Sequence, residues 1–184
     1  MRKLICLLIS ILVLSASIRS FAQAVNVNDN FEGQGTISTW AGDNCQLGLG
    51  IQNPYPDAAN SSSKVLRYHD VGGQYANVRF DVSSAFNLSV NRTFQLKIYV
   101  PSSGLSGSQP NKISLKLQNG SLSTPWITQS EIIKPIVLNQ WQTVSFNFFS
   151  DSWINLDATS APPVQRSDFS RVVIQVNGEN NNDQ

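Results

Sequence analysis

One imidazole, His69, and two thiols, Cys6 and Cys45, are the full complement of these groups in 184 residues. That set falls short of a zinc site, which needs several His or Cys ligands. One thiol and one imidazole far apart in sequence also make no oriented nucleophile. A glycosidase places two carboxyl groups about the bond it cleaves. Beyond residue 22 the glutamates are Glu32, Glu131 and Glu179, and no Glu-x-Asp-x-x-Glu run occurs. Gly-x-Ser-x-Gly and phosphate-loop sequences are absent, and Leu105-Ser106-Gly107 has no histidine nearby in sequence.

Binding without bond cleavage asks for different residues. Sugar rings need aromatic faces for their apolar side, and planar polar groups for their hydroxyls. The polar positions of the alternating segments supply Arg79, Gln95, Lys97, Tyr99, Lys116 and Gln118. Trp126 follows Thr124-Pro125, and Trp153 stands in the polar stretch Ser150-Asp151-Ser152, where no periodicity asks for burial. These two are the first candidates for stacking, with Tyr55 and Tyr75 next. Trp141 opens an apolar alternation and reads as core, as does Trp40. The competing reading of every polar position is a merely solvated outer face, because each sandwich has two. An enzymatic alternative is a polysaccharide lyase using Arg67, His69, Arg79, Gln95 and Tyr99 on a concave face, although no Gln-Ile-His triplet is present. His69 also reads simply as a strand-end residue before the turn Asp70-Val71-Gly72-Gly73.

Short alternating runs must position these groups. In Thr93 to Val100 the apolar set is Phe94, Leu96, Ile98 and Val100, a half-buried strand. Ile113, Leu115 and Leu117 repeat the pattern in Lys112 to Gln118, as do Ala76 to Val82, Thr143 to Phe148, and Val172, Ile174 and Val176. Lys64 to His69 is a further strand. No segment past residue 22 has capped helical spacing. Turn-rich pieces such as Asn53-Pro54-Tyr55-Pro56-Asp57, Gly72-Gly73 and Asn119-Gly120 separate the strands. The pattern predicts an all-β chain, a two-sheet antiparallel β-sandwich of jelly-roll type. Arg171 to Asn177 reads as a core strand followed only by polar residues, which predicts an unpaired ladder edge and a fold cut short before its last strand.

Residues 1–22 read as an export signal: Arg2 and Lys3, an apolar run from Leu4 to Leu14, and Ser20-Phe21-Ala22 before cleavage. The run is too short to span a bilayer. Residues 23–184 are then one secreted domain, extracellular or periplasmic, with ten basic against twelve acidic side chains and Cys45 as its lone thiol, read as a small buried hydrophobe. Near-neutral charge without a Lys/Arg cluster argues against nucleic acid as a partner.

Three pieces carry a resemblance: Asn30-Phe31-Glu32-Gly33 followed by Trp40; Ile51-Gln52-Asn53-Pro54 leading to Asn60-Ser61-Ser62-Ser63-Lys64-Val65; and Trp141-Gln142-Thr143-Val144-Ser145-Phe146 with the later Asp168-Phe169-Ser170-Arg171-Val172. In this order they resemble the galactose-binding-like carbohydrate-binding modules of secreted bacterial polysaccharide-degrading proteins, especially those attached to β-glucanases. The resemblance implies a non-catalytic domain that holds a polysaccharide, such as a β-glucan, near a linked or associated catalytic domain. It also implies structural calcium, with Glu32 matching the acidic ligand near the first strand and backbone carbonyls around residues 60–64 contributing. The family's last-strand Asp has no counterpart here. The reading from another class is a structural or adhesive sandwich that contacts protein.

Overall fold

The computed structural model describes residues 25–107 and 111–178. The export signal expected at residues 1–22 lies outside them. Ten strands follow in chain order: β1 (Ala41–Asp43), β2 (Cys45–Gln52), β3 (Lys64–Asp70), β4 (Asn77–Asp81), β5 (Thr93–Ile98), β6 (Lys112–Gln118), β7 (Ser130–Pro135), β8 (Gln142–Asn147), β9 (Ile154–Asn155) and β10 (Arg171–Val176). Among the described residues the only helical turns are short 3-10 pieces at Ser102–Gly104, Pro125–Thr128 and Pro163–Gln165. The chain is all-β, as the alternation predicts.

One layer is a six-stranded antiparallel sheet ordered β1-β4-β10-β6-β7-β9. The other consists of two separate antiparallel pairs, β2-β3 and β5-β8. Between the layers lies the core. Phe80, Leu115, Leu117, Ile132 and Val172 from the large sheet meet Val144 and Phe146 of β8, with Phe148 and Phe169 filling the ends. Phe146, Phe148 and Phe169 have no exposed surface, and burying each such side chain is worth about 1.5–3 kcal/mol.

β10 corrects the expectation of an unpaired edge. It is a central strand: Val172 pairs with Phe80 of β4 on one side and with Leu117 of β6 on the other. As the last strand in sequence, β10 carries no local sign that it inserts between β4 and β6.

Charged side chains fill the outer face of the large sheet. Arg79 donates to Asp43 at 2.8 Å, and Arg171 grips Asp81 through Nε at 2.6 Å and through its terminal nitrogen at 2.9 Å. That bidentate geometry is the strong form of an ion pair. Hydrogen bonding to Asp81 raises the Arg171 guanidinium further above its already high range.

Core-facing positions differ in cover. Ile113 of β6 is fully buried, whereas Ile174, on the inner face of β10, is half-buried. Ile113→Ala should therefore cost about 2–5 kcal/mol of unfolding free energy, and Ile174→Ala less than half as much, by urea titration. Equal costs would contradict this difference in packing.

Candidate functional site

β5 faces Phe94, Leu96 and Ile98 inward onto the core, so Thr93, Gln95 and Lys97 are exposed on the outside. In register with them on β8 stand Ser145 opposite Gln95 and Thr143 opposite Lys97. Tyr99, one residue past β5, continues the outward row. There it meets Tyr55, ring centroids 4.2 Å apart and planes within 10°, and Trp141, 5.7 Å away at 57°. Trp141 Nε1 donates to the Tyr55 carbonyl at 2.6 Å, and Lys97 Nζ donates to the Ala59 carbonyl at 2.6 Å. The loop between β2 and β3 is thereby strapped to β5 and β8.

The Tyr55 loop is held from below. Buried Asn53 donates through its side chain to the Ser62 carbonyl at 2.9 Å and accepts from the Tyr55 N–H at 2.9 Å. Asp57 accepts from the N–H groups of Ala59 and Asn60. Such local side-chain to backbone bonds fix a turn in advance of any ligand.

Across from β5, Arg67 and His69 of β3 are also exposed on the outside, in register with Gly48 and Gln46 of β2. Their inward neighbour Tyr68 is partly buried and donates to the Ala76 carbonyl at 2.9 Å; burial, with Asp70 and Cys45 nearby, pushes its hydroxyl well above the usual phenol range. Between β3 and β5 lies a cavity of about 1390 Å³ with Leu66, Leu96, Ile174 and Val176 among its walls.

The candidate residues therefore divide. Gln95, Lys97 and Tyr99 share one face of the second layer. Arg79, Lys116 and Gln118 stand on the outer face of the large sheet, on the other side of the sandwich. Lys116 and Gln118, expected in an open cleft, are 5% and 7% exposed. Lys116 donates to Gln175 at 2.6 Å and lies 3.7 Å from Glu131, and Gln118 donates to Gln129 at 2.9 Å. Alternation gave their direction correctly but not the neighbours that cover them. Trp153, expected in open loop, is half-buried and packs against the core. Trp126 is 55% exposed on the 3-10 turn after β6. The lyase set fails to converge, because Arg79 lies in the other layer.

Trp141 corrects another expectation: it is half-buried in the aromatic group and absent from the core. Strand parity carried the signal. Val144 and Phe146 face inward, so Thr143, Ser145 and Trp141 belong to the opposite face. Trp40 does pack on the core, edge-on to Phe80, with Nε1 bonded to Asp29 at 2.7 Å. Cys45 is half-buried, its Sγ 3.2 Å from the Asn77 carbonyl; burial, then Asp43 and Asp70, pushes the thiol up and disfavours thiolate.

Glu32 sits where the first loop meets the start of β3. Its carboxylate accepts from Ser62 Oγ at 2.9 Å, from Ser63 Oγ at 2.9 and 3.0 Å, and from the Lys64 N–H at 2.9 Å. Ser62 Oγ also lies 3.5 Å from the Asn30 carbonyl and 3.1 Å from that of Lys64. One hydroxyl proton cannot serve three acceptors, so this is an oxygen-rich corner. Among the described residues no group of three or more His, Cys, Asp or Glu side chains stands together. Among them, too, no helix is long and apolar enough to cross a membrane.

No family model matches the sequence, and no curated protein matches it.

The Ser62 and Ser63 hydroxyls hold the Glu32 carboxyl below its usual range. A carboxyl lowered in the folded state stabilises above its ordinary pKa, and that contribution is lost as pH falls through the lowered value. The melting-temperature gap between the protein and Glu32→Gln should therefore be present at neutral pH and close on acidification below the usual carboxylate range. A gap that persists unchanged would show that the carboxylate does not clamp this corner.

Proposed function

We propose that residues 23–184 are a secreted, non-catalytic carbohydrate-binding domain, similar in kind to the galactose-binding-like modules, which holds a polysaccharide such as a β-glucan for a linked or associated catalytic domain. The observation that carries this reading is the Tyr55–Tyr99–Trp141 group beside exposed Gln95, Thr143 and Ser145. Aromatic rings offer the sugar its apolar contact, and the amide and hydroxyls reach its hydroxyl groups. Ordering of the Tyr55 loop by Asn53 and Asp57 reduces the entropy lost on binding. Lys97 acts chiefly by tying that loop down.

Calcium belongs to the same proposal. Glu32, the Asn30 and Lys64 carbonyls and the Ser62 and Ser63 hydroxyls make an all-oxygen donor set, the chemistry a hard cation prefers. Bound there, the ion would fasten the first loop to the start of β3. Calcium at about a hundredfold excess over its Kd adds about 2.7 kcal/mol of stability, or about 5–10 °C of Tm in a chain this long. Thermal melts with calcium and with chelator should show that rise, and Glu32→Ala should abolish it. Equal melts with calcium and chelator would dismiss the ion.

A protein-contact role has its own support. Leu122, Trp126, Ile127, Ile154 and Leu156 are each at least 40% exposed, and the turn carrying Trp126 joins β7 and β9 through the Gln129 backbone. Exposed apolar surface of this kind marks contact sites.

Affinity electrophoresis separates the two readings. In gels holding β-glucan, xylan, alginate or no polymer, residues 23–184 should be retarded by β-glucan. Tyr55→Ala or Trp141→Ala should weaken retardation about tenfold, roughly what losing one stacked ring costs, while Trp126→Ala leaves it intact. Absence of retardation in every polymer would favour protein contact. Loss in Trp126→Ala alone would move the sugar platform to the other layer.

A further inference from the structure

The second layer is interrupted. Among the described residues β3 pairs only with β2, and β5 only with β8. Among those residues each strand thus has one edge whose backbone groups lack a ladder partner. Both edges border the same cavity, since residues 65–70 and 93–98 all line it. Folded proteins ordinarily cover or blunt such edges, and here two of them face a common trough.

Burial gives a second, independent sign. β10 is paired with β6 along its length and with β4 as far as Ile174, yet its core-facing Ile174 and Val176 are half-buried while outward-facing Val173 and Gln175 are buried. The same inversion runs along the flanks. Phe94 and Leu96 of β5 are half-buried, whereas their register partners on β8, Phe146 and Val144, are buried. Leu66 and Tyr68 of β3 are half-buried as well. Among the described residues the core is therefore covered only in part along one strip between β3 and β5, which Val25, Val27 and Ile37 also line. At about 1390 Å³, the space exceeds the range of about 300–1,000 Å³ usual for small-molecule pockets.

Charge supplies the third. The outward rim carries Arg67 and His69 on β3 and Lys97 on β5, and no carboxylate pairs with Arg67 among the described residues.

We propose that this strip is a receptor for one extended peptide strand donated by a partner polypeptide, inserted between β3 and β5 with apolar side chains turned inward onto Leu96, Ile174 and Val176 and acidic ones turned outward beside Arg67 and Lys97. Backbone bonds to two edges give such a strand its affinity, and the alternating surroundings give it specificity. Insertion joins the two pairs into one continuous sheet beneath the outward row of Arg67, His69, Gln95 and Lys97. The proposal stands apart from sugar binding, which is read in a different assay.

A synthetic peptide of about seven residues, enough to run the length of a strand like β3, alternates valine or isoleucine with aspartate or threonine. Titration calorimetry against residues 23–184 should give one-to-one binding. Methylating the backbone nitrogens that serve one edge should weaken it about tenfold or more, because ladder bonds are removed without changing side chains. Arg67→Glu with Lys97→Glu should weaken the aspartate peptide by a similar factor and favour a lysine-for-aspartate version. That exchange of preference reads docking even where the variant is less stable. Fusing the aspartate peptide behind Gln184 by a flexible linker raises its effective concentration and should raise the melting temperature above that of a scrambled fusion. Three results would overturn the proposal: equal binding of the scrambled or N-methylated peptide, no effect of free or fused peptide, or self-association of the protein that buries β3 and β5 without peptide.

Discussion

Pairing of β10 on both edges governs the rest of the molecule. An amide or carbonyl withdrawn from water must find a partner, and β10 finds them on β6 along its length and on β4 from Arg171 to Ile174. That places Val172 between Phe80 and Leu117 on the core face of the sheet. It also fixes Arg171 beside Asp81, so the outer face of the large sheet becomes a row of ion pairs and buried amides. Side chains already bonded to one another have little left to offer a ligand. The second layer differs, because its polar positions on β3, β5 and β8 are exposed.

The second layer is held together at one end by a loop. Tyr55 stacks on Tyr99, Trp141 bonds the Tyr55 carbonyl, and Lys97 bonds that of Ala59. Away from that strap, β3 and β5 part around the cavity. The same geometry therefore accounts for two features: a preordered aromatic group on the outside, and a strip of uncovered core between two open edges. Packing and openness are thus distributed unequally between the two layers.

Strand identity was legible wherever apolar residues alternated cleanly, as in β5, β6 and β8. β2 shows no clean alternation because Gly48 and Gly50 interrupt its pattern, and the register shift between Gly48 and Ile51 lies there, with Gly50 at φ 60°. β7 was hidden by adjacent Ile132 and Ile133, one buried and the other exposed. Parity settles which way a side chain points but not what lies over it, which is why Lys116 and Gln118 read as solvated. Trp141 shows the converse: its parity with Thr143 and Ser145 places it outside, whereas its position at the head of an apolar alternation suggests core. The Glu32 clamp depends on Ser62, Ser63 and Lys64, some thirty residues away, and only the resemblance drew attention to that corner. Insertion of β10 between β4 and β6 is a long-range fact that no local pattern encodes.

Backbone hydrogen exchange of the free protein tests the division between a closed layer and an interrupted one most directly. Slow exchange is expected at successive amides of β6 and of β10 as far as Ile174, where both sides are paired. Along β3 and β5 exchange should alternate, slow where the N–H points to β2 or β8 and fast where it points into the cavity. Uniform slow exchange along β3 and β5, matching β10, would show that both edges are paired and would contradict the account.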